Sequence, residues 1–249
     1  RLYRILDIKL TRTFGQKLLG LGTITVCSSD KNLSDFEIKN LTITCVSPFL
    51  EKRYKKSNIY SRYPIYTILN PVGALSVAKN NLFETTNNIL HVTSDINNPE
   101  KGYESLLKLA NILPDYNFYV VSGIKCNFNV NHKNIHFIDN VNKNEIFQYY
   151  HSADLTLVLS LYETFSMVTA ESLINGTCVA GFCAGGPESI SIPEYSSFVP
   201  QNDLTALQKE IIRLMGSKFE KGKISEDAIK KYNPSNIAEQ YCNIYKKLV

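Results

Sequence analysis

The sequence lacks the patterns that mark membrane, zinc-binding or disulfide-bonded proteins. No apolar run approaches the roughly 20 residues of a membrane span, and no secretory leader pattern opens the sequence. The six cysteines are scattered, without a C-x-x-C pair or a histidine at ligand spacing: Cys27, Cys45, Cys126, Cys178, Cys183 and Cys242. We therefore expect reduced core cysteines, no bound metal and a cytoplasmic protein, with a metal site or a disulfide framework as the less favoured alternative.

The composition and the charge are those of an ordinary globular protein. Of 249 residues, 44% are apolar and 20% are charged, and the formal net charge is +4. This excess is far below that of a dedicated nucleic-acid binder, so we expect no nucleic-acid partner. Positive charge is concentrated in residues 1–17 and 51–62, which we interpret as solvated helix faces. The alternative is peripheral contact with anionic lipid headgroups at the inner face of a membrane.

From residue 88 onward, short apolar runs alternate with amphipathic helical patterns. The runs have the length of buried strands and occupy residues 89–94, 117–123, 135–139, 155–160 and 178–182. The segments between them predict helices, including one over residues 101–113 and one that carries Glu171. Strands that are apolar throughout indicate a parallel sheet covered by helices on both faces. The sequence therefore predicts a doubly wound α/β domain.

Helix boundaries and the chain ends also leave signals in the sequence. A helix over residues 1–22 is predicted to end at a glycine. Asn142 can cap a helix with Glu145 as its reciprocal partner, and the helix that carries Glu171 should end at Gly176. Two helices are predicted to close the chain, one capped by Asp203 and one opened by Asn233-Pro234.

Two glutamates, Glu163 and Glu171, flank the turn between the strand at 155–160 and the following helix. Ligands of an open parallel sheet bind at the carboxyl ends of its strands, where Glu163 falls. Free backbone N–H groups near Ser166 favour a phosphate or a sugar hydroxyl. Glu171 has two acceptor oxygens, enough to bind a vicinal diol such as a ribose. The layout suits a nucleotide diphosphate sugar, and exposed charge without a ligand is the alternative.

The order of these features resembles the signature of retaining glycosyltransferases of the GT-B fold, specifically family 4. In SLYETFSMVTAESLINGTCVAGFCAGGPESI (160–190), two glutamates separated by seven residues flank a turn, and a glycine, a strand and Gly-Gly-x-x-Glu follow. Residues 89–123 are similar to the strand, Lys-Gly helix and strand that open the family's donor domain. Residues 134–160 resemble the segment with the nucleobase loop, and residues 46–73 the end of the acceptor domain and the linker. The resemblance covers about residues 41–249.

This resemblance implies retaining transfer of a sugar from a UDP-, GDP- or ADP-sugar to a glycan or lipid-linked acceptor, such as a growing polysaccharide or lipopolysaccharide. No metal and no cofactor is implied. Glu163 would contact the donor sugar near the reacting centre, Glu171 the ribose, and Lys101 the pyrophosphate. The other implied donor-binding residues are Phe165, Ser166 and Met167, which would offer backbone amides to phosphate or sugar, and Ile138, Asp139 and Val141, which would flank the base.

The resemblance also implies a division of the chain. Residues 1–72 would be a partial acceptor-side α/β domain with the linker, and residues 73–232 the Rossmann-like donor domain. Residues 233–249 would be a helix that packs back toward the N-terminal part. Because so few residues precede the linker, we expect a truncated N-terminal domain, from a shortened gene product or a partial chain.

Two residue-level departures from the family pattern support an alternative function. Ser166 occupies the glycine position of the usual Phe-Gly, so its Cβ would crowd the donor or force a different backbone angle. Residues 94–97 lack the arginine that many relatives place before the Lys-Gly helix. A truncated, inactive relative that binds a nucleotide is therefore the alternative.

A dehydrogenase or epimerase is disfavoured because no G-x-G-x-x-G follows the strand at 89–94. All four histidines are expected to be structural: His91, His132, His136 and His151.

Overall fold

The computed structural model describes residues 5–11, 23–28, 36–38, 41–73, 81–83, 85–127, 132–138, 141–142, 145–217 and 219–248. The strands are β1 (Ile5–Thr11), β2 (Thr23–Ser28), β3 (Phe36–Ile38), β4 (Ile43–Cys45), β5 (Ile65–Thr67), β6 (Asn88–Thr93), β7 (Asn117–Ser122), β8 (Ile135–Ile138), β9 (Leu155–Val158), β10 (Cys178–Phe182) and β11 (Ser196–Val199). The α-helices are α1 (Pro48–Lys55), α2 (Tyr103–Ile112), α3 (Glu145–Ser152), α4 (Met167–Ile174), α5 (Gly186–Ile190), α6 (Leu204–Gly216), α7 (Lys221–Tyr232) and α8 (Pro234–Leu248). Two short 3₁₀ turns lie at Tyr60–Arg62 and Pro99–Lys101.

The chain divides into two compact units, and the smaller one contains the sheet β1-β2-β3. The pairs β1–β2 and β2–β3 are antiparallel, and Ile8 lies opposite Val26. The predicted helix over residues 1–22 is therefore wrong at β1. In ILDIKLT the apolar residues Leu6, Ile8 and Leu10 alternate with polar ones, and this period of two belongs to a strand.

The larger unit comprises residues 44–56 and 66–249 and contains a sheet of six parallel strands. Its strand order is β11-β10-β9-β6-β7-β8, so the chain winds outward from β6 to one edge and then returns to place β9 on the other side of β6. His91 of β6 lies between Val120 of β7 and Leu157 of β9. This confirms the doubly wound α/β fold, whose topological switch point lies between β6 and β9.

Burial on both faces of the sheet explains the continuous apolar runs. Every residue of β9 and of β10 is buried. Helix α2 buries Tyr103, Leu106, Leu109 and Ala110, which recur at helical spacing. The core therefore lies around the central strands, and the loops of the domain meet at the carboxyl ends of these strands.

Three predicted helix boundaries are confirmed, two starts by their hydrogen bonds and one end by its backbone conformation. The predicted end of the 1–22 helix at a glycine lies outside the described residues. The backbone N–H of Glu145 donates to Asn142 Oδ1 over 3.0 Å, and the N–H of Asn142 donates to Glu145 Oε2 over 2.9 Å. The N–H of Ala206 donates to Asp203 Oδ1 over 2.9 Å. Gly176 follows α4 with a φ of 83°, a left-handed conformation that favours glycine.

The two predicted closing helices are confirmed as α6, which Asp203 caps, and α8, which begins at Pro234, but a third helix, α7, lies between them. Helix α7 was missed because KGKISEDAIKKY is largely polar, with a narrow buried stripe at Ile224, Ala228 and Tyr232. In α8, Ile237 and Ile244 pack with Ile68 in a small hydrophobic cluster. Among the described residues, no helix is both long and apolar enough to cross a bilayer.

Candidate active site

A cavity of about 320 Å³ opens at the carboxyl ends of β6 and β9, where the strand order reverses. This is the position at which open α/β sheets bind ligands. Thr93 and Ser94 line it from the end of β6, and Ser160 lines it from the loop after β9. Five of the predicted site residues also line it: Lys101, Glu163, Phe165, Ser166 and Met167. The fold thus brings together residues that lie up to 66 positions apart in the sequence, from Lys101 to Met167.

Lys101 and Glu163 form an ion pair inside this cavity. The distance between Lys101 Nζ and Glu163 Oε1 is 2.9 Å, and the two side chains are 24% and 26% exposed. Gly102, with a φ of 81°, lets the turn that carries Lys101 lie against the loop after β9, because a Cβ there would lie 2.5 Å from Leu159 Cβ. The Lys-Gly pair therefore places a cation directly beside the first glutamate.

The Gly-Gly turn at the end of β10 fixes the backbone of Glu163. The Glu163 N–H donates to the Ala184 carbonyl over 3.0 Å, and the Gly186 N–H donates to the Glu163 carbonyl over 2.8 Å. A Cβ at Gly186 would lie 2.5 Å from the backbone nitrogen of Phe165, so only glycine permits this approach. The two glycines do not line the cavity. Their contribution is to position the loop that carries Glu163.

Ser166 keeps the backbone conformation of a glycine. Its φ is 78° and its ψ is 85°, in the left-handed region, and it is the N-cap of α4. Ser166 Oγ accepts a hydrogen bond from the Thr169 N–H over 3.3 Å and lies 2.9 Å from Thr169 Oγ1. The serine therefore preserves the shape of the turn, and its hydroxyl is occupied by the helix start.

We expect Ser166→Gly to raise the free energy of unfolding by about 0.5–1 kcal/mol. Glycine removes a left-handed strain of roughly 1–2 kcal/mol, while replacing a serine cap by glycine costs only a few tenths. Chemical denaturation checks this value. Ser166→Ala is the matched control and should lower stability by about 1 kcal/mol, because it loses the cap and keeps the strain. A Ser166→Gly variant less stable than the wild type would contradict the assignment of strain to this turn.

Glu171 lies further along α4 and does not line the cavity. The phenol of Tyr150 in α3 donates a hydrogen bond to Glu171 Oε2 over 3.1 Å. Ile138 and Val141 pack against a small hydrophobic cluster that includes Tyr150. Tyr150 thus contacts the second glutamate and belongs to the cluster on which Ile138 and Val141 pack. Asp139 lies outside the described residues.

The sequence interpretation missed Tyr150, and it assigned His91 to structure alone. His91 is 2% exposed, and its Nδ1 lies 3.0 Å from the Leu157 carbonyl, so the ring donates from Nδ1. Burial lowers the pKa of His91 despite that carbonyl, and the ring is neutral near pH 7. His91 lines the cavity, and its Nε2 has no hydrogen-bond partner among the described residues. A single histidine within an apolar strand gives no sequence signal that its side chain lines a cavity.

The segment before the Lys-Gly turn holds no cation. Asp95 Oδ1 accepts hydrogen bonds from Asn97, and Ile96 is fully buried. Among the described residues that line the cavity, Lys101 is the one side chain with a full positive charge. Within the same described ranges, no group of three or more histidine, cysteine, aspartate or glutamate residues could hold a metal ion.

The sheet order and the cavity at its switch point define a Rossmann-like domain, and the family match and the similar solved structures make the fold GT-B-like. The chain belongs to the family of glycosyl transferases group 1, which it matches over residues 76–233. No curated protein matches the sequence.

Solved structures agree on the fold. The chain is similar to sucrose-phosphate synthase from Thermosynechococcus elongatus, with a TM-score of 0.69 and 21% identity over 83% of this chain and 58% of that one. A glycosyltransferase from Rickettsia africae gives a TM-score of 0.66 and 17% identity over 83% and 63%. S. aureus TarM, in a mutant bound to fondaparinux, α-GlcNAc-glycerol and UDP, gives 0.61 and 17% over 81% and 43%. The chain spans less than two thirds of each.

Proposed function

We propose that the protein is a retaining hexosyltransferase of family 4 type, which transfers a sugar from a UDP-, GDP- or ADP-sugar to a glycan or lipid-linked acceptor. The observation that carries this proposal is the Lys101–Glu163 pair at the switch point, beside the start of α4. A cation next to a carboxylate suits a ligand that has both phosphate oxygens and sugar hydroxyls. Neither a bare anion nor a neutral sugar would use both groups.

Lys101 and the start of α4 take the pyrophosphate in this proposal. The ammonium group neutralises phosphate charge, and the free backbone N–H groups at Met167 and the following residue donate to phosphate oxygens. Glu163 accepts hydrogen bonds from hydroxyls of the sugar. When the donor enters, the phosphate replaces Glu163 as the partner of Lys101, and the carboxylate becomes available to the sugar. The ion pair therefore holds both groups in place before the donor binds.

Glu171 binds the ribose diol, and the base lies beside Ile138, Asp139 and Val141. The family resemblance gives this order. The hydrogen bond from Tyr150 to Glu171, and the packing of Ile138 and Val141 against the cluster that contains Tyr150, support it. Charge-assisted hydrogen bonds from two vicinal hydroxyls to one carboxylate give the ribose end its affinity.

The reaction exchanges one bond at the anomeric carbon of the sugar. The bond from this carbon to the leaving phosphate oxygen breaks, and a bond to the acceptor oxygen forms on the same face, which retains the configuration. The acceptor proton passes to the leaving phosphate oxygen, so no protein base is required. Lys101 and the α4 amides stabilise the negative charge that develops on the phosphate, without a metal ion.

The exposed basic residues of α1 favour a lipid-linked acceptor at the cytoplasmic face of a membrane. Lys52, Arg53 and Lys55 are exposed on this helix, within the basic segment 51–62. Segment 1–17 contributes further positive charge, and anionic headgroups attract such clusters. TarM was crystallised with UDP and a glycerol-linked GlcNAc, which supports a nucleotide donor for this fold.

The test is the release of nucleoside diphosphate from UDP-, GDP- and ADP-sugars, with and without a mixture of lipid-linked and free glycan acceptors. We expect one donor to be consumed, and proton NMR of the product should show the anomeric configuration of the donor. An inverted product would contradict the retaining mechanism. Tight binding of a nucleotide without consumption of any sugar would instead support the inactive binding relative, for which Ser166 and the missing arginine before Lys101 are the sequence arguments.

A further inference from the structure

We propose that Tyr150 is a positioning residue for nucleotide recognition, which holds the Glu171 carboxylate in the orientation that binds a ribose diol. This inference rests on the proposed function, because it concerns the ribose end of the same site. Tyr150 does not touch the ligand in this account. It acts through Glu171.

The contact between the two side chains is well defined. Tyr150 is 0% exposed, and its hydroxyl donates to Glu171 Oε2 over 3.1 Å. Burial, together with the neighbouring Glu171, raises the pKa of Tyr150 well above its usual value. The phenol therefore keeps its proton and remains a hydrogen-bond donor throughout the working range of pH. A donor that is fixed on a buried ring restricts the rotation of a flexible glutamate side chain.

Tyr150 is itself held from two sides. The hydroxyl of Thr177 donates to the Tyr150 carbonyl over 2.6 Å, in a fully buried contact. The Tyr150 ring belongs to the cluster against which Ile138 and Val141 pack. The same side chain thus joins the region assigned to the base with the carboxylate assigned to the ribose.

A second buried tyrosine provides a matched control. Tyr195 is 2% exposed, and its hydroxyl donates to Asp227 Oδ2 over 3.0 Å. The two tyrosines are similarly buried and each donates a hydrogen bond to a carboxylate. Tyr195 and Asp227, however, do not line the cavity, and their hydrogen bond does not involve Glu171. Tyr195→Phe therefore reproduces the loss of a buried phenol–carboxylate bond without touching the proposed site.

The experiment compares Tyr150→Phe, Tyr195→Phe and the wild type by calorimetric titration with two ligands. One is the nucleoside diphosphate that the wild type binds, and the other is its 2′,3′-dideoxy analogue, which has no diol. We expect Tyr150→Phe to bind the ribonucleotide about 10-fold more weakly and the dideoxy analogue as the wild type does. Tyr195→Phe should bind both ligands normally. At saturating donor, Tyr150→Phe should keep the wild-type kcat, because the change raises KM alone.

Equal loss of affinity for both ligands in Tyr150→Phe, or no loss for either, would overturn the role of Tyr150. A wild type that binds neither nucleotide would instead contradict the proposed function itself. A crystal structure of the wild type with the nucleoside diphosphate gives a second measurement that does not depend on the folding of a variant. Tyr150 Oη within hydrogen-bond distance of Glu171 while the ribose sits on that carboxylate would support the proposal. A Glu171 side chain that has turned away from Tyr150 would overturn it.

Discussion

Glu163→Gln is expected to lower kcat for sugar transfer about 100- to 1,000-fold, the effect typical of removing one preorganised electrostatic group from a reacting centre. The amide keeps the size of the side chain but loses the charge that faces the donor sugar. It also leaves Lys101 without the carboxylate that lies 2.9 Å away in the ion pair. Lys101 is then available to phosphate at all times, so nucleoside diphosphate affinity should stay the same or increase. Steady-state kinetics and titration calorimetry measure the two quantities separately.

The opposite directions of these two effects make the prediction specific. A variant that was merely misfolded would lose activity and nucleotide binding together. Glu239→Gln, at an exposed position of α8, is the control for the loss of one negative charge and should change neither quantity. If Glu163→Gln turned over as fast as the wild type, the placement of Glu163 at the reacting centre would be wrong. The assignment of the cavity as the sugar end of the site would then be wrong as well.

Glu171→Gln should reduce the affinity for a ribonucleoside diphosphate roughly 100-fold. Hydrogen bonds to a charged group contribute about 1.5–3 kcal/mol each, and the carboxylate takes two hydroxyls of one diol in the proposed arrangement. The amide retains one acceptor oxygen and loses the charge. The hydrogen bond from Tyr150 can still be made to the amide oxygen, so the fold should be preserved. Titration calorimetry with the ribonucleotide and its 2′,3′-dideoxy analogue measures the effect.

The dideoxy analogue serves as the internal control for this prediction. Because it has no diol, its affinity for the wild type and for Glu171→Gln should be the same. Thermal unfolding of the two proteins without ligand should also agree closely. If Glu171→Gln bound both nucleotides as well as the wild type does, the ribose would have to lie elsewhere.

The parallel sheet could be predicted from the sequence because its strands are buried on both faces. A run such as CVAGF is apolar throughout, and it forms β10 with the predicted bounds. Capping residues also act locally, so Asn142 with Glu145 and Asp203 marked helix starts that the structure confirms. Where the pattern is weak, prediction failed. Strand β11, SSFV, has two serines and was not predicted, and α7 was hidden by its charges.

The contacts of the candidate site could be predicted only in part. The alternation of strands and helices places Glu163 in the loop after a strand and Lys101 at the start of a helix. A distance of 2.9 Å between their side chains, 62 residues apart, does not follow from it. The link from Tyr150 to Glu171 depends on how two helices pack, which no local pattern reports. Ser166 shows the same limit. A serine at a glycine position predicted either crowding of the donor or a changed backbone angle, whereas the structure keeps the left-handed backbone conformation typical of glycine.

The most direct test of a nucleotide-sugar site at the switch point is thermal unfolding of the wild type with UDP, GDP, ADP, CMP and NAD, with Glu171→Gln in parallel. A ligand at 100 times its Kd stabilises the folded state by about 2.7 kcal/mol, which shifts the Tm by several degrees. We predict that one nucleoside diphosphate raises the Tm of the wild type and that the shift is lost in Glu171→Gln. No shift with any nucleoside diphosphate, or an equal shift in the variant, would contradict the site.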